Sequence, residues 1–174
     1  SIASPSPIQF RAPNAQDGSI LHDLIARCPP LDTNSLYCNL LQCDVWSETS
    51  ILALHGEELV GSVTGFWHPK HPDTLFVWQV AVAPNYRGQS LGVRMLSELI
   101  SRLKGSVTYV ETTITPGNLS SEITFGKVAQ AFSAAMTPSH KYDSQKHFRG
   151  DHASETLWRI GPLSFKGVIN DVDL

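Results

Sequence analysis

Leu75-Phe76-Val77-Trp78-Gln79-Val80-Ala81-Val82, closed by Ala83-Pro84-Asn85 and followed by Arg87-Gly88-Gln89-Ser90-Leu91-Gly92, is the stretch that decides the fold. The nearly continuous apolar run predicts a central strand buried on both faces. Leu91, Met95, Leu96, Leu99, Ile100 and Leu103 then recur at helical spacing until Gly105 closes the helix. A buried strand, a tight loop of small residues and an amphipathic helix together outline a phosphate cradle. Small residues let the backbone approach an anion, and loop and helix-terminal N–H groups bind it. No Gly-Lys-Ser/Thr follows, so this is not a P-loop, and the dinucleotide G-x-G-x-x-G pattern is also absent. From the loop alone, an ordinary strand-to-helix turn fits equally well.

Working outward, Ile8 to Arg11 reads as a short strand. Asp17 is expected to cap a helix carrying Ile20, Leu21, Leu24, Ile25 and Cys28, stopped by Pro29-Pro30. Thr33 or Asn34 is expected to cap a second helix with Leu36, Tyr37, Leu40 and Leu41 on one face. Ser50 to His55 and Leu59 to Phe66 form a hairpin around Gly56-Glu57-Glu58. Beyond the central helix, Thr108 to Ile114 is β-branched and strand-like. Pro116-Gly117-Asn118 leads into a helix through Phe125 and Val128, Pro138 to Asp151 reads as a polar loop, and Glu155 to Ile160 is a last strand. The order β-α-α-β-β-β-α-β-α-β predicts an α/β fold with a mixed central sheet flanked by helices.

The chain has 174 residues, with 41% apolar and 17% charged side chains and a formal charge of −3, which fits one globular domain. A net-acidic chain without a Lys/Arg run argues against nucleic acid and against a polybasic membrane surface, and no apolar run spans a bilayer. Residues 1–7, Ser/Pro-rich and without the charged and apolar regions of a secretory leader, are expected to be disordered. The three cysteines, Cys28, Cys38 and Cys43, read as buried apolar side chains of a reduced, cytoplasmic protein. The seven histidines lack ligand spacing, and no metal is expected.

Val80-Ala81-Val82, Pro84 and Arg87-Gly88-Gln89-Ser90-Leu91-Gly92 resemble the acetyl-CoA motif R/Q-x-x-G-x-G/A of the GNAT superfamily of N-acetyltransferases. Two departures stand out. Ser90 occupies the usual first glycine, and Phe125, seven residues after Asn118, stands where many members carry a tyrosine that protonates the departing thiolate. Cys28-Pro29-Pro30-Leu31-Asp32, the Trp78-Gln79-Val80-Ala81-Val82 strand, Thr115-Pro116-Gly117-Asn118 and Arg159-Ile160-Gly161-Pro162 are more specific. Together they resemble the L-2,4-diaminobutyrate acetyltransferases, which make the Nγ-acetyl derivative on the route to the compatible solute ectoine.

The resemblance implies a GNAT fold over residues 8–162, a tail at 163–174, and a homodimer. It further implies acetyl-CoA held by Val80, Ala81, Val82, Arg87, Gly88, Gln89, Ser90, Leu91, Gly92 and Val93, with Asn118 and Phe125 beside it. A diamino acid carries two amines and one carboxylate, so carboxylates are expected to hold the ammonium that does not react. Asp32 is the first candidate and Glu155 the second. Glu155 is the expected base, His152 can share a proton relay, and all three are catalytic candidates. Tyr37 and Trp78 are expected to flank the cation, with Thr113 and Thr115 as polar contacts and Tyr142 as a substitute acid. Two alternatives stay open: acetylation of another small diamine or amino acid, and a non-catalytic acyl-CoA-binding domain, which Ser90 and Phe125 would favour.

Overall fold

The computed structural model describes residues 7–168; the first six positions of the expected disordered start and the end of the expected tail lie outside them. Seven strands form one sheet in the order β1-β2-β3-β4-β5-β7-β6. They are β1 (Ile8–Arg11), β2 (Ile51–His55), β3 (Glu58–Trp67), β4 (Thr74–Val82), β5 (Tyr109–Ile114), β6 (Met136–Tyr142) and β7 (Glu155–Ile160). The helices are α1 (Gly18–Ala26), α2 (Leu36–Asp44), α3 (Leu91–Arg102) and α4 (Leu119–Ala131). Only β4 and β5 run parallel; every other neighbouring pair is antiparallel.

β3 is buried from Leu59 to Gly65, so both of its faces are covered. On one face α3 lays down Leu91, Met95, Leu96, Leu99 and Ile100, all buried. Gly61 makes that approach possible, because a Cβ there would lie 2.8 Å from the Met95 sulfur. Each fully buried Leu or Ile contributes roughly 1.5–3 kcal/mol, and this stripe is what docks α3 on the sheet.

Four expectations are corrected. α2 is capped by Ser35, whose hydroxyl accepts the Cys38 N–H at 3.1 Å, and not by Thr33 or Asn34. Asp17 makes no side-chain cap for α1. Asn14 instead caps a one-turn 3₁₀ segment ahead of the helix, and the Asp17 carboxylate pairs with Arg11 through bonds of 2.7 and 2.8 Å. Residues 136–142, expected largely as loop, form β6. As the edge strand β6 keeps its side chains in solvent, so it shows no apolar alternation, and it tolerates Pro138. Finally, β4 is not buried throughout: Trp78 is 44% exposed and Gln79, Val80 and Val82 are half-buried. Of the cysteines, Cys28 and Cys43 are buried as expected, Cys38 only half so, and all three are free. Burial pushes the Cys43 thiol up to about 11. From Leu163 to Phe165 the chain stays packed: Leu163 N–H donates to the Thr108 carbonyl and Phe165 meets Phe132 edge-to-face.

The Arg11 guanidinium, and secondarily the Asn14 N–H, hold the buried Asp17 carboxyl below its usual range. A carboxylate depressed by folding stabilises the protein above its unfolded pKa, and that contribution is lost as pH falls through the folded value. Asp17→Asn is therefore expected to lower stability to urea at neutral pH. The gap to wild type should narrow as the medium is acidified below the ordinary carboxylate range; a gap independent of pH would deny the ion pair this role.

Candidate active site

The parallel ladder between β4 and β5 is short. It pairs Thr74 with Tyr109, Leu75 with Val110 and Phe76 with Glu111, and then the strands part, although β4 continues to Val82 and β5 to Ile114. β4 remains bonded to β3 along its other edge, where the Ala83 N–H donates to the Val60 carbonyl at 2.8 Å. In an antiparallel ladder alternate residues direct both backbone groups to the partner. Ala83 and Ala81 therefore face β3, while the N–H and C=O of Val80 and Val82 face the opening. A shift in the β3–β4 register leaves Trp78 as the extra residue of a bulge, which turns its ring outward and bends the strand at the mouth of the split.

One wall of the opening is the Arg87–Gly92 loop. The Arg87 Nε–H donates to the Val82 carbonyl at 3.3 Å, and Gly88 adopts φ +78°. Ser90, at φ +57° and ψ +26°, caps α3 in the left-handed region, which explains why a glycine is usual there. No side chain caps the N-terminus of α3, so the N–H groups of Leu91, Gly92 and Val93 are offered to an anion. The side chains of Leu91 and Val93 are buried in the core, so these two can meet a phosphate only through their backbones. At Gly92 an added Cβ would touch Thr124 at 3.4 Å and Val80 at 3.6 Å. The fold has room for it, and the glycine keeps the surface open between the strand and the helix terminus. Gln89 is exposed.

Asn118 caps α4, its side-chain oxygen accepting the Ser121 N–H at 3.3 Å. Phe125 is 4% exposed and belongs to the core, and it has no proton to give.

The acidic candidates flank the split on opposite sides. Next to β4, the Asp32 carbonyl accepts a hydrogen bond from Gln79 Nε2 at 3.1 Å, which ties the α1–α2 connection to the bulged strand. The Asp32 side chain is exposed. Trp78 stands beside Trp46 and Phe66, with ring centroids 5.6 and 6.5 Å away. Tyr37, in the first turn of α2, is 69% exposed. Next to β5, Glu155 opens β7, and its Oε1 accepts the Thr115 hydroxyl at 2.5 Å. His152 Nδ1 lies 3.9 Å from the same oxygen and 2.6 Å from the Ala153 carbonyl. Thr113, half-buried, faces Leu157 across the ladder.

The segment carrying His152 is organised by Asp143, whose carboxylate accepts the N–H groups of Gln145 and Lys146. The Lys146 N–H first, then that of Gln145, holds the Asp143 carboxyl below its usual range. Tyr142 is 40% exposed, opposite Glu155 in the β6–β7 ladder and against the rings of His147 and Phe148.

Glu155, His152 and Thr115 thus form one cluster, and Asp32 and Trp78 gather at the Gln79 side of the split. Sequence reasoning missed Gln79 and Trp46. It also read Cys28 only as core, whereas its buried thiol donates to the Val82 carbonyl at 3.4 Å. These roles depend on partners 47, 32 and 54 positions away, and no local spacing announces them. Among the described residues no group of His, Cys, Asp or Glu could hold a metal, and no helix is long and apolar enough to cross a membrane.

Residues 19–126 match the acetyltransferase (GNAT) family. The L-2,4-diaminobutyric acid acetyltransferase of Methylotuvimicrobium alcaliphilum is 44% identical over 162 residues, covering 92% of this chain and 93% of that protein. That of Vibrio parahaemolyticus is 45% identical over 152 residues, covering 87% and 84%. Among solved structures, the diaminobutyrate acetyltransferase EctA of Paenibacillus lautus, in complex with L-2,4-diaminobutyric acid and coenzyme A, superimposes with a TM-score of 0.84. It is 35% identical, and the match covers 96% of this chain and 99% of that one. The match to these relatives runs along nearly the whole chain, and the chain belongs to the L-2,4-diaminobutyric acid acetyltransferases within the GNAT family.

Proposed function

We propose that this protein transfers the acetyl group of acetyl-CoA to the γ-amino group of L-2,4-diaminobutyrate, giving the Nγ-acetyl product for ectoine formation. The observation that carries this reading is the β4–β5 split, with backbone donors and a helix N-terminus on one side and two separate carboxylates beside it. Pantetheine lies along the open edge of β4 and bonds the backbone of Val80 and the N–H of Val82, whose carbonyl is already taken by the Arg87 Nε–H and the Cys28 thiol. A β4 N–H polarises the thioester carbonyl and stabilises the oxyanion, while the Arg87–Val93 backbone holds the pyrophosphate.

The acceptor's α-ammonium is held by Asp32, and Trp78 and Tyr37 flank the cation. An alkylammonium is protonated at neutral pH, so the γ-nitrogen must first give up a proton. Glu155 takes it, directly or through His152. The neutral nitrogen attacks the carbonyl carbon, the C–N bond forms, the C–S bond breaks, and the nitrogen's second proton is released to water to leave the neutral amide. Phe125 supplies no acid. A thiol is acidic enough, near pKa 8.5, for the thiolate to leave and be protonated by water. A domain that only bound acyl-CoA would have no use for the Glu155–Thr115–His152 cluster and the tethered Asp32 loop on the far sides of the split.

The protein acts as a homodimer in the cytoplasm. Leu41 on α2 and Val45, the residue that caps its C-terminus one turn on, are 40% and 66% exposed and leave an apolar stripe that a second copy would cover. The free cysteines suit a reducing compartment. Light scattering should return twice the monomer mass.

NMR of the reaction product is expected to show the Nγ-acetyl isomer almost alone. Lysine should be a poor acceptor, since near-attack contact at about 3–3.5 Å does not survive two extra methylenes in a pocket that grips the α-amino acid end. A dominant Nα isomer would invert the substrate pose, and comparable kcat/KM for lysine would indicate an open diamine site. Asp32→Ala should lower kcat/KM for diaminobutyrate by about tenfold or more through loss of a charge-assisted contact, leaving acetyl-CoA affinity alone. Full activity at low substrate would reduce Asp32 to a loop residue.

A further inference from the structure

The loop between β4 and α3 holds two left-handed residues, Gly88 and Ser90, and the second is not a glycine. Such a conformation persists only where the surroundings over-determine it. At the loop's start two restraints are local. The Tyr86 N–H donates to the Ala83 carbonyl at 2.9 Å, and the Arg87 Nε–H to the Val82 carbonyl at 3.3 Å. A third comes from across the sheet. The Tyr86 hydroxyl, on the residue before Arg87, is hydrogen-bonded to His55 Nδ1 at 2.5 Å, and the two rings meet edge-to-face with centroids 5.7 Å apart. His55 is itself immobilised in β2, paired with Ile8 of β1 and Glu58 of β3. Both side chains are half-buried, and neither has a part in the acceptor chemistry described above.

We propose that the Tyr86–His55 bond is a staple that preorganises the acetyl-CoA phosphate loop, making both side chains positioning residues for cofactor binding. The inference rests on the cofactor reading above. The loop's N–H groups bind an anion well only if they converge before it arrives; otherwise binding must also order the loop, and affinity falls by that amount. The staple fixes the end of the loop nearest β4, and the packed N-terminal turn of α3 fixes the other. Neither Tyr86 nor His55 need touch the cofactor for this effect.

Calorimetry of coenzyme A binding to wild type, Tyr86→Phe, His55→Phe and the double variant tests it. Each single variant should weaken coenzyme A about three- to tenfold, the range of one lost hydrogen bond. KM for acetyl-CoA should rise by the same factor, with kcat within about twofold and KM for diaminobutyrate unmoved. The double variant should bind no more weakly than the worse single, because the two changes remove one interaction. Wild-type affinity in a folded single variant, even with a lower Tm, would make the pair merely structural and overturn the proposal, as would losses that multiply in the double variant. Tyr86→Phe and His55→Phe each report independently should the other fail to fold. No coenzyme A binding by wild type would bring down the cofactor reading and the staple with it.

Discussion

Strand β4 is bonded along one edge and released along the other, and the opening between β4 and β5 follows from that asymmetry. β3 holds it throughout, while β5 leaves it after Phe76. A backbone N–H or C=O withdrawn from water must find a partner. A strand end that loses its neighbour inside a sheet therefore turns to water, to side chains, or to a ligand that completes the ladder. Here the bulge at Trp78 and the turn at Pro84 keep it open. The edge is also rigid, because Ala81 and Ala83 are buried and β3 beneath is covered on both faces.

The two walls of the split use different physics. Under the proposed function, the recognition groups on the cofactor side are backbone amides, placed by a helix terminus and by residues at positive φ, so the side chains there matter mainly for being small or for packing away from the ligand. Ser90 shows the limit of that rule: a serine can adopt the left-handed cap, at a conformational cost that a glycine would avoid. On the acceptor side, the same proposal relies on side chains from distant parts of the chain. Asp32 is brought in by Gln79, and Glu155 is held by Thr115 at the adjoining ends of β7 and β5. Charge separated across the mouth can orient a molecule with two amines, which a single acidic patch could not do.

The central strand, the small-residue loop, the amphipathic α3 and the order of most elements were legible in the sequence, because each is a local pattern: an apolar run, a positive-φ requirement, a 3.6-residue period. Its motifs also pointed to the family. Other features were settled in the folded structure, some between near neighbours with competing side chains and some between distant partners. Ser35 and Asn14 took the capping positions, and Asp17 was drawn away to Arg11. β6 formed despite a polar sequence because an edge strand needs only one hydrogen-bonded neighbour and keeps its side chains in water. Cys28, Gln79 and Tyr86 took roles around the split that only partners far along the chain could assign. Periodicity reports how a segment meets solvent and core, whereas a hydrogen bond between residues dozens of positions apart exists only once the sheet has brought them together.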